Sequence, residues 1–269
     1  MRNYKEFQSI LREYGEYQTV VPEGAKPPSV SQFNSFRYAL TVIGLCSRCM
    51  IQEVFGKFDY EKWAAYTFSA VVFAEKIRGQ LIIEGFQERA AYDGPVVYVS
   101  NHMSTLETML LPVTLLSFNK IAIVLKDTLS ENFLMGAAFK RLGCIGVTRK
   151  NARQDLQTVL QVGAERLKSG HSVLLFPEGT RQSEFTAKKF NSLGAKLAYR
   201  AGVPVVPIAV KTDFLGTGKI IRDFGEVDPS KPIHIACGAL LSPELGDKEM
   251  HARCVAFVGE KLASWSQEG

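Results

Sequence analysis

Residues 95–107 read PVVYVSNHMSTLE: an apolar, β-branched run that empties directly into Asn101-His102 and presents a carboxylate at Glu107, five residues beyond the histidine. The first half has the composition of a strand, and the second half is polar where that strand ends. Working outward, comparable short runs recur from residue 79 onward: QLIIEG, KIAIVLK, CIGVT, SVLLFPEG, VPVVPIAV and PIHIACGAL. Helical stretches separate them. In the one over about 152–168, Leu156, Val159, Leu160, Gly163 and Leu167 share a face, Arg153, Asp155, Gln157, Gln161 and Arg166 take the other, Asn151 caps the start and Gly170 the end. Strands alternating with helices predict an α/β fold, a mainly parallel mixed sheet flanked by helices.

Before residue 79 the pattern changes. A polar N-terminal helix precedes VVPEGAKPPSVS (residues 20–31), whose three prolines and glycine mark a linker, and residues 32–78 read as helical. The expected organisation is therefore an N-terminal helical segment over 1–78 and a catalytic domain over 79–269. Within the helical part YALTVIGLC (from 38) and AAYTFSAVVFA (from 64) are apolar but punctuated by Arg37, Arg48, Lys57 and Lys62. Both fall short of the ~18–20 apolar residues that span a bilayer. They read either as a membrane-surface segment or as a helical hairpin packed on the core.

At 269 residues, with 46% hydrophobic and 22% charged residues, the chain has ample material for a core. A formal charge of +5 suits anionic partners such as phosphate esters or acidic lipid surfaces and is too mild to argue for nucleic acid. Five scattered cysteines and no secretory signal at the start point to reduced thiols inside the cell. Cys46-x-x-Cys49 has no second pair at metal-site spacing and reads as a coincidence on one helix, so no metal is expected.

In open α/β sheets, chemistry gathers where strands end. Two exits, SNHMSTLE and PEGTR, place His102, Glu107, Glu178 and Arg181 at one edge of the sheet, and a third, CIGVTR, adds Arg149. Each residue also has a structural reading. Ser104 with Glu107 is an S-x-x-E capping box, in which Glu107 reaches back to the Ser104 amide, and a lone histidine is an ordinary half-buried side chain. Together they form a general base with a carboxylate partner beside arginines suited to bidentate phosphate recognition.

The motifs NHMSTLE, GVTR, FPEGTR and VVPIAV resemble, in order and separation, the four motifs of the glycerolipid acyltransferase family, the lysophosphatidate acyltransferase type, over about residues 80–235. The resemblance implies transfer of a fatty acyl group from a coenzyme A or acyl carrier protein thioester to a free hydroxyl of a lysophospholipid or glycerol phosphate. The foremost acceptor it implies is 1-acylglycerol-3-phosphate, which would give phosphatidic acid. No bound cofactor is implied. The enzyme would work at the cytoplasmic face of a membrane, peripheral or monotopic, with acyl carrier protein as a partner if it is the donor. His102 stands where the family has its base and Glu107 where it usually has aspartate. Arg149 and Arg181 match its phosphate-binding arginines, Glu178, Gly179 and Thr180 the rest of an acceptor-shaping motif, and VVPIAV a buried supporting strand. FNSLGAK (190–196), preceded by Lys188 and Lys189, departs from the lysine pair next to glycine seen in many relatives.

A thiolate departs without an acid, so the base on the hydroxyl carries the chemistry and no acyl-enzyme is needed. No G-x-S-x-G elbow occurs. The Gly179 turn is a candidate oxyanion site, Cys144 reads as a core thiol, His171, His234 and His251 read as structural, and GTGKII (216–221) fails as a phosphate loop. The rival readings are a non-catalytic lipid-binding relative and a phospholipid hydrolase.

Overall fold

The computed structural model describes residues 3–20, 30–131, 135–218 and 221–267. Its helices and strands run in the order α1 (Tyr4–Tyr14), β1 (Tyr17–Gln18), α2 (Gln32–Val54), α3 (Tyr60–Thr67), α4 (Ser69–Lys76), β2 (Leu81–Glu84), α5 (Gln87–Ala90), β3 (Val97–Ser100), α6 (Glu107–Leu115), β4 (Ile121–Lys126), α7 (Asp127–Ser130), α8 (Gly136–Arg141), β5 (Ile145–Val147), α9 (Ala152–Lys168), β6 (Ser172–Leu175), α10 (Leu193–Ala201), β7 (Val205–Lys211), β8 (Ile233–Cys237) and α11 (Gly246–Gln267). Every strand expected from the sequence is present. The linker expected over 20–31 falls largely outside the described residues.

The strands form one eight-stranded sheet in the order β1-β2-β8-β7-β3-β6-β4-β5. β7, β3, β6, β4 and β5 run parallel to one another, β8 pairs antiparallel with β7, β2 runs parallel to β8, and β1 pairs antiparallel with β2. The α/β fold with a mainly parallel mixed sheet is therefore as the alternation predicts. β1 was not foreseen: at two residues it is too short to show a period, yet it attaches the N-terminal segment to the sheet.

Strand β3 shows why its run is continuously apolar. All four of its residues are buried, because side chains alternate between two covered faces. Tyr98 belongs to the core on one side, with Phe7, Leu11, Tyr38, Trp63, Ala70 and α6. Val97 and Val99 belong to the core on the other, with Val159 of α9, Leu197 of α10 and Met250 and Val258 of α11. The sheet thus lies between two helical layers. Helices α1 to α4 line the same core as α6, so the 1–78 segment and the rest of the chain share one apolar interior.

Helix α9 spans Ala152–Lys168 with the Asn151 side chain accepting from the Gln154 amide, and Val159, Gly163 and Leu167 face inward. Helix α10 comes so close to β3 that a Cβ on Gly194 would lie 2.2 Å from Val99 Cγ1. A side chain there would displace one element from the other. Helix α6 is buried along its length except at Thr108 and packs against α1, α3 and α4, and its first residue, Glu107, is wholly out of water.

Candidate active site

Strand β3 lies between β6 and β7, so three parallel strands end side by side, each emptying polar residues at the same edge. Asn101 links two of them: its Nδ2 donates to the Val210 carbonyl and its Oδ1 accepts from the Val210 amide, both at 2.8 Å. The side chain so mimics a ladder pair just past the end of β3 and holds the following turn against β7.

In that turn, His102 Nδ1 lies 2.9 Å from Glu107 Oε1. The same oxygen accepts from the amides of Met103 (2.6 Å) and Ser104 (2.7 Å), while Oε2 accepts from the hydroxyls of Ser104 (2.8 Å) and Thr212 (2.6 Å). The capping reading and the catalytic reading of Glu107 are thus both realised, in one carboxylate. Burial alone pushes this carboxyl up, but the His102 contact and charge, with the Thr212 and Ser104 hydroxyls, hold it below the usual carboxylate range. Hydrogen bonds to a charged group contribute ~1.5–3 kcal/mol each, enough for five donors to offset a desolvation penalty of several kcal/mol.

The ionised Glu107 fixes the proton of His102 on Nδ1 and leaves Nε2 as the basic nitrogen. Among the described residues Nε2 has no hydrogen-bond partner. The ring stacks on Phe176, centroids 4.4 Å apart, and its side chain keeps 15% of its exposure. Phe176 directly follows β6, so the second exit supplies a platform for the base.

The same exit brings Glu178 to His102, whose amide donates to Glu178 Oε2 at 2.7 Å. Its Oε1 is buried and has no partner among the described residues. Burial, with the charge of Glu107 adding to it, holds this carboxyl above its usual range against the pull of the His102 amide. Gly179 has φ +70°, a conformation favourable to glycine, but its amide donates to the Phe176 carbonyl at 3.0 Å. That turn contact occupies the N–H, and the expectation of an oxyanion donor at Gly179 is withdrawn. Thr180 is exposed and its hydroxyl accepts from Gln182 Nε2, while the Gln182 amide donates to the His102 carbonyl at 2.7 Å. Lys189 Nζ donates to Gln182 Oε1, which brings one of the two lysines to this loop.

Arg181 Nη1 donates to Thr105 Oγ1 at 2.6 Å, and its Nη2 lies 2.7 Å from Asp223 Oδ1. Arg149 stands apart. It leaves β5, the edge strand, and β4 intervenes between β5 and β6; three strand spacings of ~4.8 Å put it about 14 Å from the end of β3. Arg149 and Arg181 therefore share an edge of the sheet but do not come from adjacent strands. Arg149 is nonetheless shaped by its surroundings: φ is +58°, and Asp155 of α9 accepts from the amides of Thr148 and Arg149.

Sequence reasoning missed Thr212, Asn101, Phe176 and Asp223. Thr212 lies 105 residues from Glu107, and no local pattern signals such a contact. Phe176 sat in a quoted motif, and the strand-to-site position that gave Glu178 its meaning was a signal available for it. Cys144 is no nucleophile at this site, since burial pushes its thiol up to about 12. His171 sits against Tyr60, His234 stacks on Trp265 and His251 faces Phe190, all away from His102. Cys46 and Cys49 both lie on α2, the second of them buried.

The acyltransferase family model matches residues 81–211, the stretch from β2 to the end of β7. Over that stretch, a little under half of its length, the chain is similar to the acyltransferase family. It is 39% identical over 177 residues to the 1-acyl-sn-glycerol-3-phosphate acyltransferase of Pseudomonas aeruginosa, covering 64% of this chain and 65% of that one. It is 33% identical over 176 residues to the chloroplastic 1-acyl-sn-glycerol-3-phosphate acyltransferase LPAT1 of Arabidopsis thaliana, covering 62% and 47%. The chain thus spans about half to two thirds of the length of these curated relatives. The crystal structure of PlsC from Thermotoga maritima, a 1-acyl-sn-glycerophosphate acyltransferase, has the same fold, with a TM-score of 0.61 over 87% of this chain and 98% of that one at 18% identity. The matched stretch includes His102, Glu107, Phe176, Glu178 and Arg181.

Proposed function

We propose that this protein is an acyltransferase that moves a fatty acyl group from an acyl thioester to the free hydroxyl of a lysophospholipid, 1-acylglycerol-3-phosphate foremost, giving phosphatidic acid. The observation that carries the reading is the His102–Glu107 pair at 2.9 Å with Nε2 unpartnered. An alcohol is a poor nucleophile at neutral pH. In the proposed step Nε2 takes the hydroxyl proton as the oxygen attacks the thioester carbonyl, and buried Glu107 stabilises the imidazolium that forms. Collapse of the tetrahedral intermediate breaks the C–S bond. The departing thiolate, with a pKa near ~8.5 in the free thiol, then takes the proton back from His102. Arg181 receives the acceptor phosphate, Arg149 is proposed as a second phosphate ligand further along the sheet edge, Glu178 Oε1 is an open acceptor for a substrate hydroxyl, and Gly179 and Thr180 shape the turn between them. Similarity to 1-acyl-sn-glycerol-3-phosphate acyltransferases supports the acceptor; the donor is a thioester of either coenzyme A or acyl carrier protein.

The reading extends to location. Among the described residues no helix is long and apolar enough to cross a membrane. Yet α2 exposes Phe33, Phe36, Leu40, Ile43, Ile51 and Val54, spaced three or four residues apart except across Ser47. A helical stripe of that kind suits insertion into a bilayer surface, monotopic and on the cytoplasmic face, where acceptor and acyl donor meet. The geometry of the pair speaks against the rival reading of a lipid-binding relative that has lost its alignment of base and acid.

The test is release of thiol from long-chain acyl-coenzyme A in mixed micelles, with and without lysophosphatidate, repeated with an acyl carrier protein donor. Release that needs the acceptor and disappears in His102→Ala is the expected result. Fatty acid release without acceptor would make the protein a hydrolase instead.

A further inference from the structure

Arg181, the residue assigned above to the acceptor phosphate, already has an anion. Its Nη2 is 2.7 Å from Asp223 Oδ1, and Thr105 Oγ1, which accepts from Arg181 Nη1 at 2.6 Å, itself lies 3.1 Å from the same carboxylate oxygen. Arg181 Nη1 also faces the Arg222 carbonyl at 3.4 Å. A planar guanidinium offers its fork to carboxylate and phosphate alike, so the two compete for one place.

Asp223 is not an incidental neighbour. It lies on the connection between β7 and β8, and helix α2 holds that connection at two further points: the Val227 amide donates to Ser35 Oγ at 3.0 Å, and the rings of Phe224 and Tyr38 meet edge on with centroids 6.3 Å apart. The helix that bears the exposed apolar stripe thereby also fixes the height of Asp223 over the site.

We propose that Asp223 is a built-in competitor that neutralises Arg181 in the empty site and gives the guanidinium up when a phosphate-bearing acceptor arrives. The inference rests on the phosphate-acceptor reading and deepens it. The pair is weak enough to exchange, because both partners keep solvent contact, 26% for Arg181 and 51% for Asp223; such pairs are worth little in water. The incoming group is stronger: a phosphate monoester carries about −1.5 to −2 charges at neutral pH, against one on the carboxylate. An acceptor without an anionic headgroup leaves the pair closed. Asp223 thus lowers by the same factor the affinity of every anion that must displace it from Arg181.

The experiment measures binding, which separates it from the question of turnover. Soluble glycerol 3-phosphate is titrated by calorimetry into the full chain, Asp223→Asn, Arg181→Ala and the double variant, with Asp223→Ala as a second replacement and melting temperatures as a check on folding. Asp223→Asn is expected to bind about two- to fivefold tighter than the parent, Arg181→Ala weakly, and the double variant no better than Arg181→Ala. Unchanged or weaker binding by Asp223→Asn would mean that the carboxylate orients Arg181 for phosphate, and would overturn the proposal. So would a gain that persists without Arg181, or no measurable binding in either parent or Asp223→Asn. Absence of thiol release with tighter binding in Asp223→Asn would sink the acyl-transfer reading and leave this one standing.

Discussion

A single oxygen of Glu107, Oε1, serves the His102 ring and two backbone amides of the same turn. Glutamine keeps the length and leaves an oxygen for those amides, but it cannot stabilise an imidazolium. Glu107→Gln is therefore expected to melt within a few degrees of the parent and to lose ~10²- to 10⁴-fold in kcat; unchanged kcat would remove Glu107 from the chemistry. Thr212→Val keeps the volume and deletes one charge-assisted donor, a loss of ~1.5–3 kcal/mol of stability, readable by urea unfolding. The pH dependence follows from the sign of the shift. Glu107 is held below its ordinary value near 4.5, so its network contributes stability above that value and loses it as pH falls through the lower folded value. Acid unfolding of Glu107→Gln, whose side chain does not titrate, should lose that portion of the pH slope.

At the scale of elements, helix α2 carries two loads: Tyr38, Leu45 and Cys49 face the core, and the stripe from Phe33 to Val54 faces out. The sequence showed the apolar character of this helix but not which residues stay exposed, because that depends on how α4 and the connection bearing Phe224 cover its inner side. Replacing Phe36 and Leu40 together by aspartate is expected to abolish co-sedimentation with anionic vesicles while leaving the melting temperature close to the parent's. Retained vesicle binding would locate the docking face elsewhere. Helix α10 offers a contrasting case. Gly194 was legible only as part of a motif departing from the family, whereas its place against Val99 makes it a packing requirement. Gly194→Val should lower the melting temperature by several degrees or more, since overpacking costs ~1–3 kcal/mol.

Across the whole molecule, what the sequence disclosed was whatever is encoded locally. Strands β2 to β8 showed themselves as apolar runs, and His102 and Glu107 as a spacing within one turn. Hidden were the relations set by the order of strands: the antiparallel step between β7 and β8, the β4 strand that parts Arg149 from Arg181, and the arrival of Thr212 and Asp223 from the connection that leaves the neighbouring strand β7. The N-terminal segment is another such relation. A change of pattern near residue 78 suggested a division, yet β1 pairs with β2, and Phe7, Leu11, Tyr38 and Trp63 line the core that holds Tyr98 and Leu110. Removing residues 1–78 would uncover that face of the sheet and all of buried α6, with Glu107 at its start. Burial of one large apolar side chain contributes ~1.5–3 kcal/mol, and a whole domain's stability is only ~5–15 kcal/mol, so the loss of even several such contacts exceeds what the remainder holds in reserve. A 79–269 fragment is therefore expected to show no cooperative thermal transition by circular dichroism and no His102-dependent activity. A fragment that melted cooperatively with its near-ultraviolet signal intact would show that the sheet and its α9–α11 layer fold alone, and that the N-terminal helices serve docking only.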